Sequence, residues 1–186
     1  IALDALGRVV VVGNETGAGG DFNWRIRVYD PMLSVLLATT EYSSPGAASD
    51  IPWAVAGDRN GGIVVAGGET IGGVQRWLVR RWDPGLTAVL GATTWSGPSA
   101  NADEPHAVDL DPNGNPVVAG YETPASGGSD WRIQKYDSAL NPLQAVTWNG
   151  VGAGADRLRA VAAPVASSVF VAGEETVAGE GTNFAV

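Results

Sequence analysis

Cysteine is absent from this chain, so no disulfide framework holds it together and no redox compartment can be read from its thiols. Lysine occurs once, at Lys135, and histidine once, at His106. Eleven basic against twenty acidic residues leave a formal charge of −9. Phosphate binding needs clustered cations, so nucleic acid is not an expected partner, and anionic membrane surfaces are disfavoured on the same ground. No apolar run approaches the roughly 18 residues of a membrane-spanning helix, so membrane insertion is not expected. One histidine and no thiol cannot assemble a Ser-His-Asp or Cys-His set. An apolar period of 3.6 residues is also missing, which argues against a helical solenoid.

Turn chemistry, by contrast, is plentiful. The 26 glycines and 11 prolines are spread along all 186 residues, 45% of which are hydrophobic. That distribution predicts many turns between short strands, with enough apolar material to bury a core as one domain. One phrase recurs four times: Val11-Val12-Gly13-Asn14-Glu15-Thr16, Val65-Ala66-Gly67-Gly68-Glu69-Thr70, Val118-Ala119-Gly120-Tyr121-Glu122-Thr123 and Val171-Ala172-Gly173-Glu174-Glu175-Thr176. Its threonines are 54, 53 and 53 residues apart, which is an internal repeat. The repeats run approximately over 1–50, 51–103, 104–156 and, in part, 157–186, within a single segment 1–186.

Each repeat reads as four strands. The first is short and small, as in Ala54-Val55-Ala56, Ala107-Val108 and Ala160-Val161-Ala162. Tight turns follow at Asp58 to Gly62 and Asp111 to Asn115, where glycine supplies positive φ. The second strand carries the recurring phrase behind a continuous apolar run, which fits a strand covered on both faces. The third, at Trp24 to Asp30, Trp77 to Asp83 and Trp131 to Asp137, alternates apolar with polar. The fourth ends on an aromatic: Tyr42, Trp95 or Trp148. Four antiparallel strands per repeat of about 53 residues predict an all-β fold, a β-propeller of four-stranded blades.

The stretch Asp111-x-Asn113-Gly114-Asn115-x-Val117-Val118-Ala119-Gly120-x-x-Thr123, followed by Asp130-Trp131 to Tyr136-Asp137 and Thr147-Trp148-x-Gly150 to Asp156, resembles the bacterial β-propeller repeat of secreted and cell-surface proteins. The resemblance covers nearly the whole chain. A kelch repeat is the second resemblance, through Val64-Val65-Ala66-Gly67-Gly68, but Asn14, Tyr121 and Glu174 stand at its second-glycine position elsewhere. The resemblance implies a scaffold and an extracellular or cell-surface location, without a particular chemistry. The chain opens inside a first strand at Ile1 and stops at Asn183 to Val186, which align with Asp130 to Ile133. Three and a half blades are therefore expected, the ring being completed by more of the same polypeptide or by a second chain.

The repeated Glu15, Glu69, Glu122 and Glu175 are expected to make blade-to-blade hydrogen bonds, and Asp50, Asp103 and Asp156 to cap free amides of the innermost strand. Asp109, Asp111 and Asn113 have the opening spacing of a calcium loop. The later bidentate glutamate is missing, and hairpin-turn chemistry explains these residues without an ion, so no cofactor is expected and calcium is the alternative. The repeat is broken at Ile51, Glu104 and Arg157, and again at Trp53, His106 and Arg159, each spaced by 53. These positions directly precede the innermost strand on the face with the longer loops. Trp53, Glu104, His106, Arg157 and Arg159 are thus the candidate ligand-binding residues. The leading expectation is a non-catalytic scaffold or binding module taking protein or carbohydrate. A propeller-based glycoside hydrolase or lyase would need two channel carboxylates, and only Glu104 is a candidate. A purely structural subunit is the third reading.

Overall fold

The computed structural model describes residues 1–46, 48–152 and 154–186, and among these it is all-β, with no helix. Four antiparallel sheets follow one another along the chain, each a simple meander in sequence order. The first holds β1 (Ala2–Leu3), β2 (Val9–Thr16), β3 (Phe22–Tyr29) and β4 (Leu36–Tyr42). The second holds β5 (Ile51–Gly57), β6 (Ile63–Ile71), β7 (Val74–Trp82) and β8 (Val89–Trp95). The third holds β9 (Glu104–Leu110), β10 (Pro116–Glu122), β11 (Asp130–Tyr136) and β12 (Pro142–Trp148). The fourth has three strands: β13 (Arg157–Val165), β14 (Ser168–Val177) and β15 (Gly181–Ala185).

The core lies between the sheets. Ile63 and Val65 of β6 pack with Val10, Trp24 and Ile26 of the first sheet, while Val64 and Ala66, on the opposite side of the strand, pack with Val118, Tyr136 and Leu140 of the third. This explains the unbroken apolar run: successive side chains point to opposite faces, and both faces are covered. Burying one aliphatic side chain contributes about 1.5–3 kcal/mol, against about 1 kcal/mol net for a hydrogen bond. Apolar contact therefore supplies most of the cohesion. The neighbour decides burial as much as the sequence does. Val64 and Val117 are 0% exposed, yet Phe170, at the same point of the repeat, is 60% exposed on the fourth sheet.

The first turn of each of the first three sheets is closed by an aspartate: Asp4, Asp58 or Asp111. Oδ1 of Asp58 accepts the amides of Asn60 and Gly62 at 2.8 and 2.7 Å, and Oδ1 of Asp111 accepts those of Asn113 and Asn115 at 2.9 and 3.0 Å. Gly61 and Gly114 take the left-handed conformation that these turns need, at φ 81° and 79°. The turn between the third and fourth strands holds a feature the residues alone do not announce. Leu33, Leu86 and Leu140, at matching points, are left-handed as well. For a side chain that costs about 1–2 kcal/mol. At Leu86 and Leu140 the cost is offset by burial in the cores between sheets.

The first strands of the second, third and fourth sheets begin three residues earlier than their small-residue pattern suggests, and each of the three contains a bulge. Pro52 faces Gly67 and Ala54 faces Ala66, so Trp53 is left over. His106 is left over between Pro105 and Ala107, and Arg159 between Leu158 and Ala160. The three residues expected in a loop before the strand are thus inside it, as its unpaired members. The bulge drives a carbonyl inward, and the phrase glycine makes room. A Cβ on Gly67, Gly120 or Gly173 would fall on the carbonyl oxygen of Ile51, Glu104 or Arg157 respectively. At Gly13, opposite no bulge, a Cβ would meet nothing within 4 Å. Gly120→Ala is therefore expected to destabilise the chain by about 1–3 kcal/mol, as overpacking does, and Gly13→Ala to stay within about 0.5 kcal/mol. Urea unfolding followed by tryptophan emission measures both, and equal effects would contradict the assignment.

Candidate functional site

Three aspartates set the sheets against one another. Asp50, Asp103 and Asp156 are fully buried in the links between sheets. Their amides donate to the carbonyls of Phe22, Gln75 and Ser129 on the preceding sheet. One carboxylate oxygen accepts the amide of Thr70, Thr123 or Thr176 at 2.9, 2.9 and 2.6 Å. The other accepts the amide of Ser44, Gly97 or Gly150, just past the preceding sheet's last strand, at 2.5, 2.6 and 2.7 Å. They do not cap the innermost strand, as their position before it suggested; they clamp one sheet's end to the next sheet's second strand. The indoles of Trp24, Trp77 and Trp131 add a second tie, donating to the carbonyls of Gly68, Tyr121 and Glu174 on the following sheet.

The repeated glutamates behave less uniformly than expected. Glu69 accepts from the Tyr42 hydroxyl of the preceding sheet at 2.7 Å, and Glu175 from the Val151 amide at 3.4 Å. Glu15 and Glu122 instead pair with Arg25 and Arg132 of their own sheets. An arginine on the adjacent strand, two register positions along, can claim the carboxylate before the neighbouring sheet does.

With the sheets so registered, the repeat-breaking residues meet. Trp53 from β5 lies against His106 from β9, ring centres 5.2 Å apart, and His106 meets Tyr121 edge-on at 5.4 Å. Nη1 of Arg159, from β13, donates to Nδ1 of His106 at 3.1 Å. A guanidinium only donates, so Nδ1 is an acceptor and the ring proton sits on Nε2, which donates to Glu104 at 2.9 Å. Arg159 also donates to Glu174 at 2.9 Å. Arg157 lies over the Tyr121 ring at 5.3 Å. All five candidate residues therefore join one cluster spanning three sheets, with Trp53 its exposed apolar member at 44%.

Tyr121 and Glu174 complete the cluster and were not singled out as site residues. Both stand where the second repeat has Gly68, at the strand end that pairs with Glu104 and Arg157. That substitution at a matching position was the available signal.

The electrostatics make Glu104 a carboxylate. Burial pushes its carboxyl up, but the hydrogen bond from His106, the Tyr121 hydroxyl and the Arg157 charge outweigh burial and hold it below its ordinary value. The Tyr121 hydroxyl is pushed up by burial and by Glu104, so it stays a proton donor. A buried acid held ionised is the opposite of the raised carboxyl that glycoside cleavage uses to protonate a leaving group.

The calcium-loop residues lie at the other end of the strands. Asp109 accepts the amides of Leu110 and Ala163, both at 2.8 Å. Asp111 holds its turn and pairs with Lys135 at 2.8 Å, so an ammonium already neutralises it. Asn113 contributes its backbone amide to that turn. Among the described residues no three His, Cys, Asp or Glu side chains gather as a metal site requires. No protein-family model matches the chain, and no curated protein matches it.

The lowered Glu104 carboxyl has a pH signature. Its contribution to stability is complete above the ordinary value of 4.5 and is lost as pH falls through the folded-state value below it. Glu104→Gln should accordingly lower stability at neutral pH and flatten the loss of stability on acidification below about pH 4.5. Urea titrations at a series of pH values test this, and parallel pH profiles for the two proteins would contradict it.

Proposed function

We propose that this chain is a non-catalytic binding module built as propeller blades of the bacterial repeat kind, belonging to a secreted or cell-surface protein. Its binding end is formed by the starts of β5, β9 and β13, and its ligand is carbohydrate. The propeller reading is supported by four successive meanders that stack through buried second strands and are registered by the same buried aspartate. Repeat scaffolds carry binding surfaces where side chains depart from the common pattern.

One observation carries the functional reading. Where the repeats are otherwise alike, three consecutive bulges present Trp53, His106 and Arg159, and the three touch in order. A bulge releases its extra residue from the ladder and re-aims its side chain. Turn closure or sheet packing does not call for that trio, since the scaffold contacts are made by Asp, Thr, Trp and Gly. A half-exposed indole beside oriented donors and acceptors suits a sugar ring, whose C–H face is apolar and whose edge is polar. Glu104, ionised and fully engaged, does not fit an acid catalyst, and this favours binding over cleavage.

Calorimetry of the whole chain against neutral and acidic oligosaccharides tests the reading. At least one is expected to bind without turnover, with Trp53→Ala weakening it about tenfold or more, equivalent to about 1.4 kcal/mol. No binding across the series, or binding that ignores Trp53 and His106, would overturn it.

A further inference from the structure

An open cleft of about 430 Å³ lies between the third and fourth sheets, beside the cluster. Tyr121 and Arg157 line it together with Asn101, Thr123 and Ser129, and Gly127 and Gly128 form part of its wall. Among the described residues the Arg157 guanidinium has no ion pair and no hydrogen bond: Glu104 is held by His106, and Glu174 by Arg159. Its Nε is buried without a partner. Leaving a buried donor unmade is costly. Among the described residues Arg27, Arg59, Arg76 and Arg80 likewise make no ion pair, but of these arginines Arg157 is the one that lines this cleft, with its charge felt by Glu104 nearby.

Resting on the carbohydrate reading above, we infer that Arg157 receives a ligand carboxylate in this cleft, and that the sugar is acidic: a uronic-acid residue of a polysaccharide. The guanidinium presents a planar fork of donors that matches a carboxylate and is not interchangeable with an ammonium. The Tyr121 ring lies beneath the guanidinium, 5.3 Å from its central carbon to the ring centre. Gly127 and Gly128, both left-handed at φ 84° and 77°, leave the cleft wall bare of side chains where a bulky ring must approach. The Tyr121 ring touches His106, and His106 touches Trp53, so a chain of ring contacts links the cleft lining to the exposed indole. A carboxylate at Arg157 would thus sit at one end of a path whose other end is a sugar-stacking platform. An acidic peptide could supply the same charge, but it makes no use of that platform.

The test is made on the whole chain by calorimetry with four probes: trigalacturonate, its methyl ester, maltotriose and hexaglutamate. Trigalacturonate is expected to bind at least tenfold more tightly than its methyl ester and than maltotriose, with hexaglutamate silent. Arg157→Gln should abolish the preference for the acid, and Arg157→Lys should only partly restore it. The methyl ester reads the carboxylate from the ligand side, so the result stands even if an Arg157 variant folds poorly. Equal binding of trigalacturonate, its ester and maltotriose would leave the carbohydrate reading intact and overturn this inference. Binding of hexaglutamate in place of the sugars would overturn both the inference and the choice of carbohydrate. Silence from all four probes would overturn the inference, while a different oligosaccharide that binds and needs Trp53 would keep the broader reading.

Discussion

The structure depends on a carboxylate that cannot be satisfied within one sheet. Asp50, Asp103 and Asp156 are fully buried, and a buried charge is tolerated only when donors surround it. Each finds one amide on the sheet behind and one on the sheet ahead. For Asp103, burial raises the carboxyl above its ordinary value despite those amides, which shows how strongly desolvation presses on the position. The apolar layers between the sheets supply most of the cohesion, but apolar contact is non-directional and would tolerate a slip. The aspartate does not. Moving one sheet by a residue would leave its charge and two amides unmatched, at roughly 1–3 kcal/mol for each. Cohesion and register thus come from different residues.

Register is what makes the site. A bulge frees a side chain from the ladder, but by itself only points it outward. Trp53, His106 and Arg159 belong to three different sheets, and they meet because the same clamp repeats twice between them. The phrase glycine is the second condition. Without the space at Gly67, Gly120 and Gly173, the inward carbonyls of Ile51, Glu104 and Arg157 could not sit where they do. The glycine that looks like a repeat signature is the counterpart of the bulge opposite.

Much of this was legible in the residues, and the failures have physical causes. The repeat exposed the strand order, the both-sided burial of β6 and β10, and the glycine turns at Asp58 to Gly62 and Asp111 to Asn115, because each follows from local chemistry. The true start of the first strand was hidden. Its opening residues, Ile51-Pro52-Trp53 and Glu104-Pro105-His106, carry a proline and a bulge, which erase the alternation that marks a strand. Equivalence by 53 residues still picked out five residues that meet in the cluster, since matching points of a repeat fall on matching points in space. The role of the aspartates was misread because sequence adjacency to a strand start suggests a cap, whereas their partners lie 20 residues onward. Tyr121 was seen only as a departure from a glycine motif. A departure at one end of a repeated strand is a local statement until the partner strand, here β9 with Glu104, is known.

The division of labour also explains why such different side chains can occupy equivalent points. Positions 51, 104 and 157 hold Ile, Glu and Arg, and positions 53, 106 and 159 hold Trp, His and Arg. An unpaired bulge residue gives up no ladder bond when its side chain changes, so the scaffold is indifferent to its chemistry. Asp103, Gly120 and Trp77 have no such freedom, because each is fitted against backbone from a neighbouring strand or sheet. The cluster is consequently uniform in backbone and varied in side chain. That combination gives a fixed frame in which one histidine can accept from an arginine on one side and donate to a carboxylate on the other. His106 holds its single tautomer only while both neighbours are in place, and both are in place only while the sheets keep their register.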